Sequence, residues 1–243
     1  MGASRTLGVM GEKPIGRRVA LGVIGAGLTG IVFGSHVQDA MERILGPITA
    51  RDGTGLSSLF PVGRFRIYSV VGRLPHRSEA EYRLRVGGAV RTPLTLTMAD
   101  LRAFPPLRLT KDFQCVTGWR VHDVKWTGVR LSDVLDRAGL DEETAGGVVF
   151  RSFDGAYTET LTLAQARRDD VMVAYELEGK PLSSAHGGPA RLYVGPMYGY
   201  KSCKWLEAID VAHGTPAPGY WEVRGYDVDG WVGRSNGRDD PAV

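Results

Sequence analysis

Cysteine is scarce in this chain: Cys115 and Cys203 are the only two among 243 residues. Neither belongs to a CxxC pair or to a Cys/His cluster at zinc spacing, so a zinc site or a covalently attached c-type haem is not expected. Basic blocks are missing as well. The net charge is only +3, and the arginines are spread out with no interleaved aromatic platform, which argues against a nucleic-acid partner. Internal repeats and low-complexity tracts are absent. What is present is ordinary for a globular protein: 43% hydrophobic and 23% charged residues, in a length that supports one large domain with a full core. Glycine is plentiful, at 33 residues, and points to a fold with many turns.

The N-terminal part has its own character. Residues 1–18 are polar and basic and end in Arg17-Arg18. Val19 to Gly34 then carry no charge. Those sixteen residues span about 24 Å as a helix, short of a ~30 Å hydrocarbon core. A positive stretch followed by an apolar one has the layout of an export signal, and Arg17-Arg18 suits a twin-arginine signal in position. The expected organisation is a basic cytoplasmic N-terminus (1–18), a signal or anchor segment (19–37), a linker (38–63) and a globular domain (64–243). An extracytoplasmic location, membrane-anchored or exported, follows from that layout.

Inside the apolar segment, Gly25-Ala-Gly-Leu-Thr-Gly30 spells G-x-G-x-x-G, the dinucleotide-binding fingerprint. That reading needs a second strand ending on an acidic residue roughly 20 positions later. Asp52 stands at about that distance, but Gly46 to Arg51 before it makes a poor strand. Glycine is also simply common here, at Gly22 and Gly34 too. The segment reads better as part of the signal or anchor, with a flavin or nicotinamide enzyme as the rival.

The globular part mixes short helices with many short strands. Glu81–Val86 alternates at period two and ends at Gly87-Gly88. Thr97 to Asp100 predicts a capping box opening a helix through Phe104, stopped by Pro105-Pro106. Leu131–Ala138 predicts a helix with Gly139 at its end, and Leu161–Arg167 a third. Val148–Phe153, Val171–Glu176, Arg191–Val194 and Trp205–Val211 read as strands. Without regular βαβ spacing, the pattern predicts an α+β fold rich in sheet.

Two segments carry chemistry. In Asp112-Phe-Gln-Cys-Val-Thr-Gly-Trp-Arg120 a cysteine in a strand-like run precedes a glycine turn and an arginine. It reads either as a small buried hydrophobe or as a thiolate, a soft ligand for a redox-active metal. His186-Gly-Gly-Pro-Ala-Arg191 and Tyr198-Gly-Tyr-Lys-Ser-Cys-Lys-Trp205 gather one His, one Arg and two Lys among glycines. That set suits a phosphate, or else a solvated basic loop.

Taken together, ordered motifs make Phe65–Tyr226 resemble the sulfite oxidase family of molybdenum-cofactor enzymes. These include sulfite oxidases, plant-type nitrate reductases and the periplasmic methionine sulfoxide reductase catalytic subunit. The motifs are TMADLR (97–102), FQCVTGW (113–119), WTGVRLSDVL (126–135), FDGAYTE (153–159), HGGPARLYV (186–194), YGYKSCKWL (198–206) and YWEVRGY (220–226). The resemblance implies a sulfite-oxidase-type fold and one molybdenum–molybdopterin per chain, with Cys115 as thiolate ligand. It puts Tyr68, Ser69, Asp154, His186, Arg191, Lys201, Ser202 and Lys204 on the cofactor. Tyr226 and Arg120 fall near the substrate. The implied reaction is two-electron oxygen-atom transfer, and Cys203 becomes a small structural residue.

Departures qualify the substrate. The arginine that family members carry in the pterin-covering loop falls near Tyr68 or Ser69, and the arginine pair after the ligand cysteine is reduced to Arg120. Sulfoxide-type reduction is therefore the first reading and sulfite oxidation the alternative. A cofactor-free binding module of the same fold is a further alternative. Seventeen residues follow Tyr226, so the family's dimerisation domain is not expected. No intrinsic haem is expected either, and the electron partner would be a separate haem- or quinone-linked protein.

Overall fold

Helix and strand boundaries follow local chemistry closely in the computed structural model, which describes residues 65–117 and 119–233. The basic N-terminus, the signal or anchor segment with Gly25–Gly30, and the whole linker lie outside the described residues. In chain order the elements are β1 (Leu84–Gly88), β2 (Leu94–Leu96), α1 (Met98–Ala103), β3 (Pro106–Gln114), β4 (Arg120–Arg130) and α2 (Leu131–Ala138). They continue with β5 (Ala145–Ser152), β6 (Thr158–Leu161), α3 (Leu163–Ala166), β7 (Val171–Leu177), β8 (Lys180–Pro181), β9 (Arg191–Val194) and β10 (Leu206–His213).

Caps explain the helices. Thr97 Oγ1 accepts from Asp100 N while the Asp100 carboxylate takes the Thr97 N–H, a reciprocal capping box that opens α1. Thr162 and Gln165 repeat the device for α3, which is shorter than the 161–167 expected. In α2 the buried side chains are Leu131, Val134, Leu135 and Ala138, the i, i+3, i+4, i+7 spacing of one helix face. Gly139 ends it at φ 68°, a left-handed conformation that favours glycine.

The strands form two sheets. One has the order β2-β1-β10-β5-β6, with β1 and β10 parallel and the other pairs antiparallel. The other is antiparallel, β3-β4-β7-β8, with β9 added on β7. β7 reads as an apolar run from Val171 to Tyr175 because both its faces are covered there. Val171, Val173 and Tyr175 face the main core, which also takes Phe150, Leu161, Leu192 and Ile209. Met172 and Ala174 face a second, aromatic cluster with Phe113, Trp119, Trp126 and Tyr193. The sheet-rich α+β architecture expected from the sequence is thus present. The long β3–β4 hairpin was not anticipated: Pro105-Pro106 ends a helix, as expected, but Pro106 also begins a strand.

Candidate cofactor site

The aromatic cluster supports a cavity where five segments meet: 65–70, the turn between β3 and β4 that carries Cys115 and Trp119, 154–157, the 185–205 stretch, and 221–226. Its empty space is about 1080 Å³ including the open mouth.

Cys115 lies one residue beyond the end of β3, outside the ladder rather than within a strand. Its N–H donates to Trp119 O at 2.9 Å and closes the turn. Arg120 Nε braces the same turn through Gln114 Oε1, at 2.5 Å. The Cys115 Sγ lies 3.2 Å from Thr117 Oγ1. Burial pushes the thiol up, and the Thr117 hydrogen bond and the Arg66 guanidinium only partly oppose it. Trp119 stacks on Phe113 and on Tyr68, and Phe65 meets His186 edge-on at 4.9 Å. These contacts fix the cavity walls in aromatic carbon.

The opposite wall is cationic. Arg191 is 4% exposed, and all three of its nitrogens donate to backbone carbonyls: Nε to Leu192 O, Nη1 to His186 O and Nη2 to Ser202 O. Burial lowers it to about 10. Lys204 donates its Nζ to Tyr68 O and lies 4.2 Å from the Trp205 ring centroid. Burial, and then the Arg191 charge, bring Lys204 down to about 7. His186 falls to about 4 for the same reasons, burial first and then Arg191 and Lys204, so it is neutral at pH 7. Within this group no cation has a carboxylate partner at ion-pair distance among the described residues. Buried like charges left in this state fit a bound anion.

The residues singled out in the sequence are distributed as follows. Tyr68, Ser69, Cys115, Asp154, His186, Arg191, Ser202, Lys204 and Tyr226 all line the cavity. Ser69 Oγ, however, donates to Arg73 O at 2.6 Å and holds its own loop, and Ser202 Oγ accepts from Val194 N at 3.0 Å. Asp154 Oδ1 accepts from Ala156 N and Tyr157 N, both at 2.8 Å, while its buried Oδ2 has no partner among the described residues. Tyr226 is pushed up to about 12 by burial and by Cys115, so its hydroxyl stays a hydrogen-bond donor.

Two expectations need correction. Lys201 does not reach the cavity, because its ammonium is fully buried between Glu159 and Glu222. Arg120 is absent from the cavity lining too. β4 directs it to Gln114, with its Nη1 4.0 Å from Asp112. Sequence reasoning also passed over Arg66, which lines the cavity and acts electrostatically on Cys115. The signal was available in Arg66–Val70, the same loop from which Tyr68 and Ser69 were taken.

These residues suit a metal-bearing, anionic cofactor. Among the described residues no three His, Cys, Asp or Glu side chains could chelate a metal together. A metal at Cys115 must therefore arrive with ligands of its own. Asp154 Oδ2, without a partner among the described residues, provides an acceptor, Trp119 Nε1 beside the Cys115 sulfur a donor, and Arg191 and Lys204 provide charge for a phosphate, with neutral His186 next to them. The class these residues suit is a cofactor-dependent redox enzyme.

Comparison with known proteins makes the class specific. Residues 71–221 match the family model described as the oxidoreductase molybdopterin binding domain. The chain belongs to this family, that of the sulfite oxidases, and is a molybdopterin-binding oxidoreductase. It is 36% identical over 160 residues to the uncharacterized oxidoreductase YuiH of Bacillus subtilis, covering 65% of this chain and 79% of that protein. It is 31% identical over 163 residues to sulfite oxidase of Arabidopsis thaliana, covering 54% of this chain and 42% of that one. A putative protein-methionine-sulfoxide reductase subunit, YedZ1 of Azospira oryzae, is 32% identical over 156 residues, covering 64% of this chain and 57% of that one. The chain thus spans most of YuiH but less than half of the plant sulfite oxidase. Among solved structures, the sulfane dehydrogenase SoxCD of Paracoccus pantotrophus shares the fold, with TM-score 0.56 and 22% identity over 70% of this chain and 48% of that one.

Proposed function

We propose that the protein transfers an oxygen atom to or from a small substrate at a molybdenum ligated by the Cys115 thiolate, with sulfoxide-type reduction as the first reading. The observation that carries it is the meeting, in one cavity, of the half-buried Cys115 thiol with buried cations that lack carboxylate partners among the described residues. Bound molybdopterin would supply a metal that changes oxidation state by two electrons and accepts or gives up an oxygen atom.

The chain's own residues do the rest. Cys115 loses its proton to become a soft ligand, and the turn closed by Trp119 O holds its sulfur in place. Lys204 and Arg191 offer a point charge and a fork to the cofactor phosphate, with neutral His186 beside them. Asp154 Oδ2 and Trp119 Nε1 take polar groups of the cofactor. Tyr226, kept protonated, donates its O–H to the oxygen on which charge develops. The aromatic walls of Phe65, Phe113 and Trp119 exclude water.

Sulfite oxidation is a second reading, favoured by Arg66. This cation lines the cavity and suits an oxyanion, and it answers the shortage of arginines noted in the sequence. Electrons pass to or from a separate haem- or quinone-linked partner, outside the cytoplasm. Arg17-Arg18 and the uncharged residues after them support that location. A substrate panel assayed with a dye as electron donor or acceptor tests the reading. Turnover of sulfoxides with a reduced dye is expected; turnover of sulfite alone, with an oxidised dye, would reverse the preference.

A further inference from the structure

Lys201, Glu159 and Glu222 form a buried cluster that the cofactor site leaves unused. Their side chains are 0%, 0% and 1% exposed. Lys201 Nζ donates to Thr160 O at 2.7 Å and lies 2.5 Å from both Glu159 Oε1 and Glu222 Oε1. Its three N–H groups are thereby used. Thr160 N adds a bond to Glu159 Oε1 at 2.8 Å. Glu159 Oε2 and Glu222 Oε2 are left over, both buried and without a partner among the described residues. Two ionised carboxylates against one ammonium would bury a net negative charge together with two orphan acceptors. One proton placed on the pair removes the net charge and supplies the missing donor.

We propose that Glu159 and Glu222 hold a single proton between them against the Lys201 ammonium, and that this neutral triad is the latch seating Trp221 and Tyr226 on the cavity wall. The proposal concerns the wall and holds for either direction of oxygen transfer. Burial drives the Glu159 carboxyl well above the usual range. Glu222, although burial raises it too, is held low by its bond to Glu159 and by Lys201. Acids sharing a proton separate in this way. The other titratable groups facing the cluster are Tyr157, Tyr200 and Cys203, and burial keeps all three protonated.

The latch is apparent from how the 220–226 segment is attached. Glu222 opens a 3-10 turn (Glu222–Arg224) between Trp221 and Tyr226, and the neighbouring Val223 is 63% exposed. The segment's bonds are largely its own: Val223 N to Gly219 O and Tyr226 N to Trp221 O, each 3.2 Å. Two polar links tie residues 219–226 themselves to the body, Tyr220 N to Thr158 O at 2.9 Å and the Glu222 carboxylate on Lys201, while Tyr157 stacks on Tyr220 and Tyr200 Oη donates to Asp227 O at 2.6 Å just beyond the segment. Gly219 makes room for the second. A Cβ there would stand 2.6 Å from Glu222 Oε2 and 3.0 Å from Glu159 Cα. The seated rings then pack together, with Tyr226 at 5.3 Å from both Trp221 and Tyr200. Glu159 and Glu222 are positioning residues, acting through those rings.

The test uses cofactor-loaded protein carrying Glu159→Gln or Glu222→Ala. Hydrogen exchange is read in peptides over 219–226, with β10 as an internal control, and thermal unfolding is followed from pH 5 to 8. Gln keeps a neutral donor at position 159, so exchange within about twofold of wild type is expected there. Glu222→Ala is expected to raise exchange over 219–226 by more than about tenfold while β10 stays protected. Folded Glu159 keeps a proton that it loses when unfolded, above about pH 5. Wild type should therefore lose stability relative to Glu159→Gln by about tenfold in the unfolding constant per pH unit. Parallel pH dependences, or exchange opened by Glu159→Gln, would overturn the shared proton. Unchanged exchange in Glu222→Ala would overturn the latch. If Glu222→Ala does not fold, Gly219→Ala, whose Cβ would stand 2.6 Å from Glu222 Oε2, replaces it with the same two readings of exchange over 219–226.

Discussion

Lys201 and Lys204 stand three positions apart in one loop, both buried, yet they belong to opposite kinds of site. Lys201 is matched by two carboxylates and a carbonyl, which together outweigh its burial and raise its pKa. Lys204 meets a carbonyl and an indole ring, and burial brings it down to about 7. A charge already neutralised inside the fold can only hold the fold together. One left without a counter-ion is available to a ligand, and its burial is a cost that the ligand relieves. The difference sorts two residues of the same type into structure and function.

The largest effect is expected at the metal ligand. Cys115→Ser should reduce turnover by more than about 100-fold, beyond what losing a supporting partner costs, while circular dichroism stays native. The two lysines should then separate cleanly. Lys201→Met leaves the buried Glu159–Glu222 pair without its cation and should cost about 3–5 kcal/mol of stability, read by denaturant unfolding. Lys204→Met should leave stability nearly unchanged or improved, and instead weaken cofactor retention on gel filtration by about 10- to 100-fold. Equal stability losses at the two positions would erase the comparison.

Smaller effects concern pH and the substrate side. Without cofactor, folded Lys204 gives up its proton near pH 7, whereas in the unfolded chain it keeps it to about pH 10. The unfolded state then binds more protons, so stability should rise with pH across that window by up to about 1.4 kcal/mol per unit. A bound phosphate should restore the charge and flatten the rise, and Lys204→Met should abolish it. Thermal unfolding at stepped pH checks both. Tyr226→Phe removes one donor to the reacting oxygen and should lower kcat/KM by about 10- to 100-fold, with cofactor content unchanged.

Local signals in the sequence were enough for the elements whose cause is local. Thr97 with Asp100, and Leu131–Ala138 with Gly139, combine a cap or an apolar stripe with a terminating residue, and both helices lie where that pattern puts them. The β3–β4 hairpin was harder to see. Pro106 hides its start, and a register shift between Lys111 and Phe113 breaks the alternation just before Cys115. Most of the site was legible through its ordered motifs, because five of them, FQCVTGW, FDGAYTE, HGGPARLYV, YGYKSCKWL and YWEVRGY, bring residues to the cavity. The distinct fate of Lys201 was not legible. Its partners come from β6 and from the turn after Trp221, and no spacing within the YGYKSCKWL stretch announces them. Arg120 misled for a related reason: proximity to Cys115 in sequence does not decide which way a side chain on β4 turns.

The central claim is that Cys115 and the unmatched cations belong to one bound cofactor. Metal analysis of the purified chain, made in a host that synthesises molybdopterin, tests it most directly. Stoichiometric molybdenum is expected in wild type, and its loss in Cys115→Ser. A folded wild-type chain that emerges from such a host without molybdenum would contradict it.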